Sequence, residues 1–521
     1  MRTSSAIKNS ITALVGNVIT YIIAFIAQAI FIRILGAEYL GMNGLFTNIL
    51  TMLSIFELGI GNAIVYNLYK PIADNDVAKI QALMNFYKKA YRIIAFTIFI
   101  VGILLVPFIK FMVGEITINV NIYIVYILFL LSTVSSYLMT YKRNLIIANQ
   151  QNYIINLIHM GYLIILNVVQ LMILSATKNY YAYLIVKIFC QLFENLVISI
   201  VANKKYLYLK DNSTIKLDKD TEKDIFSRVK ALLFHKIGGI VVNGTDNIII
   251  SNFFGIETVG LYTNYYTITS AITSLFSQII TATTSSVGNL LVSNDKSKKY
   301  EIFDKIRFLN SWISVFTATC LFVLMQTFIT IWVGEQYRLD FFVLIVIVFN
   351  YFQKMQRITY STFKDSAGIW REDKFVPIIE SVLNIVFSVI LLKIFGLAGV
   401  FMGTIISGLI LWCYSYPKFV YKKIFERSYK KYAIETLKYI ILFIVISCIT
   451  LIVTQLVNIP NIIIKFIIDL LICCILPNGI MILIFRNTED YKYFKELIVK
   501  LLNKIINKEE KKNEKISNLN D

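Results

Sequence analysis

Apolar runs long enough to cross a bilayer recur along the whole chain, and few folds are open to a polypeptide built this way. A hydrocarbon core is about 30 Å thick, so one run of about twenty apolar residues makes one helical crossing. Lipid offers no hydrogen-bond partners, so the spanning segments satisfy their own backbones as helices. The runs fall near 11–34, 43–66, 92–112, 120–140, 153–175, 181–203, 233–254, 262–291, 308–332, 340–361, 376–394, 398–417, 437–457 and 462–485. They predict an all-α polytopic membrane protein with about fourteen transmembrane helices. Composition agrees: only 16% of the 521 residues are charged, against about 25% in soluble domains. That is too little polar surface to coat several soluble domains.

The net charge of +19 raises the question of nucleic acid, but its placement answers it. With the N-terminus in the cytoplasm, 43 of the 51 Lys and Arg residues fall in cytoplasmic segments. That is the positive-inside pattern, and it predicts both termini in the cytoplasm. No recognition motif accompanies the basic charge, so nucleic-acid binding is not expected. The same charges favour anionic membrane lipid as a neighbour. The six cysteines all lie within expected spans, where they read as small apolar residues.

Connections expected outside the cell, such as 114–119 and 458–461, are very short, and no cytoplasmic loop is large enough for a folded catalytic domain. Function is therefore expected inside the helical bundle.

An internal repeat organises that bundle. Gly36-Ala37-Glu38-Tyr39-Leu40-Gly41 and Gly255-Ile256-Glu257-Thr258-Val259-Gly260 share the pattern G-x-E-x-x-G at an offset of 219. Val113-Gly114-Glu115 and Val333-Gly334-Glu335 match at an offset of 220. Six helices separate equivalent positions, so the copies run parallel, about an axis along the membrane normal. Parallel repeats of this kind build transporters whose path lies between two halves. The expected organisation is a six-helix lobe over 1–203, a cytoplasmic linker over 204–232, a second six-helix lobe over 233–420, extra helices thirteen and fourteen over 421–485, and a cytoplasmic tail over 486–521. Taken locally, the glycines also suit tight turns and the acids suit helix starts.

Ionisable groups within spans are costly and usually face a cavity or a partner. Glu57 is the central charge of the second span and Asp246 of the seventh. Asn243, Asp246 and Asn247 follow i, i+3, i+4 spacing and share one helix face. Asn62, Arg33, Lys236 and Asn264 complete the candidate translocation set. Each has a bland alternative: a protonated carboxyl bonded to a neighbouring helix, a cation snorkelling to headgroups, an amide gluing helices. His159 and His235 read as structural. The sequence has no P-loop, G-x-S-x-G, H-E-x-x-H or CxxC array. No catalytic residue, metal site or cofactor is therefore expected. Transport would draw on a Na+ or H+ gradient or on the membrane potential.

Four stretches carry a family resemblance: Ile34 to Asn48, Glu57 to Pro71 (ELGIGNAIVYNLYKP), Thr245 to Ser251 (TDNIIIS), and Lys364 to Ser407. With the spans and the repeat, the chain resembles the polysaccharide transporters, the O-antigen and capsule repeat-unit flippases of the multidrug/oligosaccharidyl-lipid/polysaccharide exporter superfamily. The resemblance implies a bacterial inner-membrane protein. It would move an undecaprenyl-pyrophosphate-linked oligosaccharide to the outer leaflet by alternating access, as a monomer, with a polysaccharide polymerase as a possible partner. It implies pyrophosphate attraction by Arg33 and Lys236, and ion coupling or gating by Glu57 and Asp246. Asp365, Arg371, Asp373 and Glu380 match the family pattern and read as an inner gate or lobe-packing cluster. The lipid-linked peptidoglycan precursor flippase shares fourteen spans and is the first alternative. A cation-coupled drug exporter of the same superfamily, usually with twelve, is the second.

Overall fold

The computed structural model describes residues 2–57, 60–114, 116–209, 215–281, 283–292, 295–369, 372–500 and 503. Within its helices, the side chains of 2–11, 13, 14, 62, 224, 227–243, 285, 286, 289 and 292 lie outside the description. Among the described residues every element is helical and no strand occurs. Among the described residues, ten helices are long and apolar enough to cross a membrane. The number is twelve if two bent pairs each count as one span. These are Val77–Leu104 with Val106–Val113, bent by 41°, and Ile122–Tyr137 with Thr140–Ala148, bent by 40°. The chain is a multi-pass membrane protein. The two remaining expected spans are also helical, at Lys219–Phe254 and Ile256–Thr281. Much of the first lies outside the described side chains, and the second carries a Ser/Thr series that lowers its hydropathy.

The chain forms two compact units. One contains Met1–Leu275, Ile329–Asn350 and Ile369–Ser415; the other contains Phe276–Phe328, Tyr351–Gly368 and Tyr416–Asp521.

In the first unit the repeat spacing is a spacing of backbone conformations. Helix α1 (Arg2–Leu35) passes to α2 (Ala37–Leu53) through Gly36 at φ 96°. At the equivalent place α10 (Lys219–Phe254) passes to α11 (Ile256–Thr281) through Gly255 at φ 83°. The second pair repeats this, with Gly114 at φ 72° and Gly334 at φ 128°. A Cβ strains such backbone, and glycine avoids that cost.

The second glycine of each motif has a different job. A Cβ added to Gly41 would strike the Ile256 carbonyl, and one added to Gly260 would strike the Ala37 carbonyl. Each added Cβ would also lie 3.1 Å from the other glycine's amide nitrogen. Helices α2 and α11 therefore cross backbone to backbone, related by two-fold symmetry at Gly41 and Gly260. Glu38, the acid of the first motif, accepts hydrogen bonds from the Ile118 amide at 3.2 Å and the Thr117 amide at 3.3 Å. Glu115 lies outside the described residues.

Helices α15 (Val376–Phe395) and α16 (Leu397–Ile410) form a tight hairpin through Gly396 at φ 58°. Gly399 and Gly403 are four apart on α16, and a Cβ on either would strike Leu391 or Ser388 of α15. Small residues at this spacing let membrane helices approach closely.

The expected second span, 43–66, is broken. It is α2, then a 3₁₀ turn at Ser54–Glu57, then α3 (Ile60–Ala73). Leu58 and Gly59 lie outside the described residues. Helix α4 (Val77–Leu104) follows, and α5 (Ile109–Val113), α6 (Ile122–Tyr137), α7 (Thr140–Ala148), α8 (Asn152–Thr177) and α9 (Tyr180–Lys205) complete the N-terminal half.

The second unit is held by an aromatic and ionic cluster. Arg307 is buried and pairs with Asp304 and, at 3.5 Å, with Glu435. Glu435 also accepts from the hydroxyls of Tyr421 and Tyr300. Phe303 packs edge-on against Tyr360, Phe363 and Tyr421. Further along, the Trp312 indole donates to Asn478 at 2.8 Å, and Lys465 pairs with the buried Asp469 at 3.4 Å.

Candidate functional site: polar cavities and buried carboxylates

Glu57 ends the 3₁₀ turn that interrupts the second span, and the break turns its carboxylate toward a cavity. The cavity measures about 410 Å³ and is lined by Gly61, Tyr66, Tyr69, Tyr91 and Asn144 with Glu57. Tyr91 donates to the carboxylate at 3.5 Å, and Asn144 donates to the Tyr91 hydroxyl at 3.2 Å. Thus α3, α4 and α7 each contribute a polar group. A second cavity of about 720 Å³ shares Tyr66 and Tyr69 with the first and adds Asn67, Lys70, Asp74 and Lys79. Its far wall is the start of α10, with Asp220 and Thr221. Asp218 caps that helix, accepting from the Thr221 amide at 2.9 Å and its hydroxyl at 2.7 Å. These bonds hold the Asp218 carboxyl below the usual carboxylate range. The side chain of Asn62 lies outside the description.

Asp246 is buried on α10 and reached by a polar network from α15 and α16. Thr404 donates to its two carboxylate oxygens at 3.4 and 3.3 Å. Asn384 donates to Thr404 at 3.0 Å, and Thr245 donates to Asn384 at 3.1 Å. Neighbouring Asn247 is also buried, while the side chains of Asn243 and Lys236 lie outside the description. Asn264 on α11 is fully buried and accepts from Gln28 of α1 at 2.7 Å. Thr267 donates to the same Gln28 at 2.9 Å.

The structure puts Arg33 elsewhere. Its guanidinium donates to the Trp332 carbonyl at 3.2 Å. That caps the end of helix α13 (Lys296–Trp332), where the negative pole of the helix lies. Trp332 in turn donates from its indole to the Phe25 carbonyl at 2.9 Å.

Of the expected gate set, Asp373 is buried and accepts from Ser415 at 2.9 Å, and Glu380 is buried on α15. Asp365 is exposed and belongs to the second unit. Arg371 lies outside the described residues.

One cluster escaped the sequence reading. Glu194 of α9 is buried and accepts from Arg143 of α7 at 2.8 Å. It also bonds the His159 Nδ1 of α8 at 2.9 Å and accepts from Gln191 at 3.0 Å. The bend before α7 brings Arg143 into this position, although 141–152 reads as a loop in the sequence. Glu194 itself was visible as a carboxylate within the sixth span. Among the described residues, no group of three or more His, Cys, Asp or Glu side chains is arranged to hold a metal ion.

Comparison with known proteins places this arrangement. Residues 6–284, more than half of the chain, match the model of the polysaccharide biosynthesis protein family. The chain belongs to that family. None of the curated proteins compared with it matches. Among solved structures, the lipid II flippase MurJ in an inward closed conformation aligns at a TM-score of 0.66 and 16% identity, covering 92% of this chain and 99% of its own. An inward-facing multidrug resistance MATE family transporter of the MOP superfamily aligns at 0.55 and 15% identity, covering 75% and 91%. A Vibrio cholerae MATE transporter aligns at 0.53 and 12% identity, covering 80% and 97%. At these identities the likeness is one of fold. The family member thus has the fold of membrane flippases and exporters, and its neighbours are transporters, not enzymes.

Proposed function

We propose that this protein flips an undecaprenyl-pyrophosphate-linked oligosaccharide repeat unit from the inner to the outer leaflet of a bacterial cytoplasmic membrane, for surface polysaccharide synthesis. The observation that carries the reading is the pair of neighbouring polar cavities that share Tyr66 and Tyr69 as lining, the smaller one with Tyr91, Glu57 and Asn144. Tyrosine rings offer flat apolar faces beside hydroxyls, which suits sugar rings. A few placed polar groups then fix orientation. Family membership and the flippase fold support the same reading. Lys70 and Lys79 stand in the larger cavity beside Asp74, Asp76 and Asp220, and Lys79 pairs with Asp218 at 3.9 Å, so its lining is mixed in charge.

In this reading both termini and the basic loops face the cytoplasm, so the cavities open to the leaflet where lipid-linked units are made. The protein works as a monomer and hands its product to a polymerase. A Na+ or H+ gradient, or the membrane potential, drives the cycle, with Glu57 and Asp246 as the carboxylates that couple it. Asp373 and Glu380 belong to an inner gate or to lobe packing. A lipid-linked peptidoglycan precursor is the second reading, favoured by the MurJ likeness over 92% of the chain.

Lipid analysis of a strain lacking the protein tests both. Accumulation of undecaprenyl-linked repeat units on the cytoplasmic face, with loss of surface polysaccharide and rescue by the intact gene, is expected. Accumulation of peptidoglycan precursor would transfer the assignment to the second reading. Unchanged lipid intermediates would remove both.

A further inference from the structure

The first unit has a third and larger cavity, of about 1180 Å³, that shares no residue with the two polar ones. It is a groove between the 3₁₀ turn and α3, helix α4, and the segment 215–226, which enters and forms the first turns of α10. Leu217 is buried, and Phe226 meets Phe86 of α4 edge-on at 6.2 Å, so the segment is pinned over the groove. The walls are apolar: Phe56, Ile60, Phe86, Ile93 and Ile94. The mouth is not. Lys89, Lys216 and Lys219 stand there, all exposed, with a single acid, Glu222. None of the three lysines has an ion-pair or hydrogen-bond partner among the described residues.

Polarity along the groove is ordered. Lys89 lies three residues before the apolar run at 92–112, at the level where a span meets the headgroups. From Lys89 to Thr97 at the deep end, α4 advances about 12 Å. A bilayer has the same order: anionic phosphates outermost, chains beneath. Exposed Ile93, Phe96 and Ile100 continue the wall of α4 outward, so the groove opens sideways to lipid. Glu57 and Tyr91 line the separate polar cavity.

We propose that this groove is a binding site for an anionic bilayer phospholipid, with the phosphate held by Lys89, Lys216 and Lys219 and an acyl chain along Phe56, Ile60, Ile93 and Ile94. The site is independent of the cargo, because it opens to the bilayer and not to the polar cavities. Its occupant ties the start of α10, with the residues just before it, to α4.

Native mass spectrometry of the full-length protein tests this, with phosphatidylglycerol, phosphatidylcholine or undecaprenyl phosphate added at equal concentrations. The intact protein is expected to retain phosphatidylglycerol in preference to phosphatidylcholine. The triple variant K89Q/K216Q/K219Q is expected to lose that preference by on the order of a hundredfold, about fivefold per lysine. The three side chains are exposed, so its melting temperature should not change. Ile93→Trp fills the groove without altering charge and should lower retention of both phospholipids. Equal retention of the two phospholipids by the intact protein would overturn the proposal. So would an unchanged preference in the triple variant, or a lysine-dependent preference for undecaprenyl phosphate, which would make the groove a cargo site.

Discussion

The two ends of the first unit are built on opposite rules. At the end that holds Gly36, Gly114, Gly255 and Gly334, helices meet backbone to backbone. Gly41 meets Gly260, the Ser251 hydroxyl donates to the Val113 carbonyl at 2.8 Å, and Asn252 donates to the Phe111 carbonyl at 2.7 Å. At the other end, α3, α4 and α7 stand apart around cavities lined by tyrosine, amide and carboxylate groups. A seam of glycines seals by close approach alone and interlocks no side chains at its centre. Such a seam separates without breaking ion pairs. The cavity end presents polar groups, and the glycine end presents bare backbone.

The largest blow to this contrast should come from Gly41→Leu, which drives a side chain into the Ile256 carbonyl. Overpacking costs about 1–3 kcal/mol and occasionally more, and here only backbone movement can relieve it, so a loss above about 3 kcal/mol is expected. A clear drop in melting temperature is expected, together with faster labelling of a cysteine placed at Thr263. Gly161→Ala, where an added Cβ meets nothing within 4 Å, should leave both unchanged.

Next in size is Glu194→Ala, which leaves Arg143 without its buried carboxylate partner. Removing one member of a buried pair costs about 3–5 kcal/mol. Because Arg143 is partly exposed, the lower end of that range is expected in chemical denaturation. A melting curve indistinguishable from the parent would remove the cluster from the scaffold. Thr404→Val deletes the hydroxyl that donates to Asp246 and keeps the shape, so about 1–3 kcal/mol is at stake.

Glu57→Gln sharpens the contrast from the cavity side. Glu57 is only half-buried, so the melting temperature should hold while repeat-unit transport in cells falls. Transport at the parent level would assign Glu57 to structure. The smallest effect concerns Asp218, whose carboxyl is held below the ordinary range by Thr221. A depressed group contributes stability above its unfolded value, near 3.9, and loses it as pH falls through the folded value. Hydrogen exchange at 219–222 should therefore quicken in strong acid in the parent and be insensitive to that step in Asp218→Ala.

What could be read from the sequence was whatever repeats or stands alone. Gly36 and Gly255 were legible because the same backbone demand appears twice. Glu57 and Asp246 were legible because each is the single central charge of an apolar run. The Glu194 cluster was not, since Arg143 sits in a segment whose polarity reads as a loop. Only the 40° bend before α7 reveals that it turns inward. Nor was Gln28, one amide in an apolar helix whose partners, Asn264 and Thr267, lie more than 230 residues away. The role of Arg33 also depends on tertiary structure, because a helix end is a partner that no motif announces.

The meeting of Gly41 with Gly260 carries a historical consequence. A residue on a two-fold axis faces its own copy when two identical chains associate. An ancestral half-length chain that paired with itself would have placed one glycine, encoded once, on both sides of this crossing. Any larger residue there would have been doubled at the axis. In this chain the two glycines are encoded separately. Each is still constrained by the other's backbone, so neither can change alone without the opposite helix yielding.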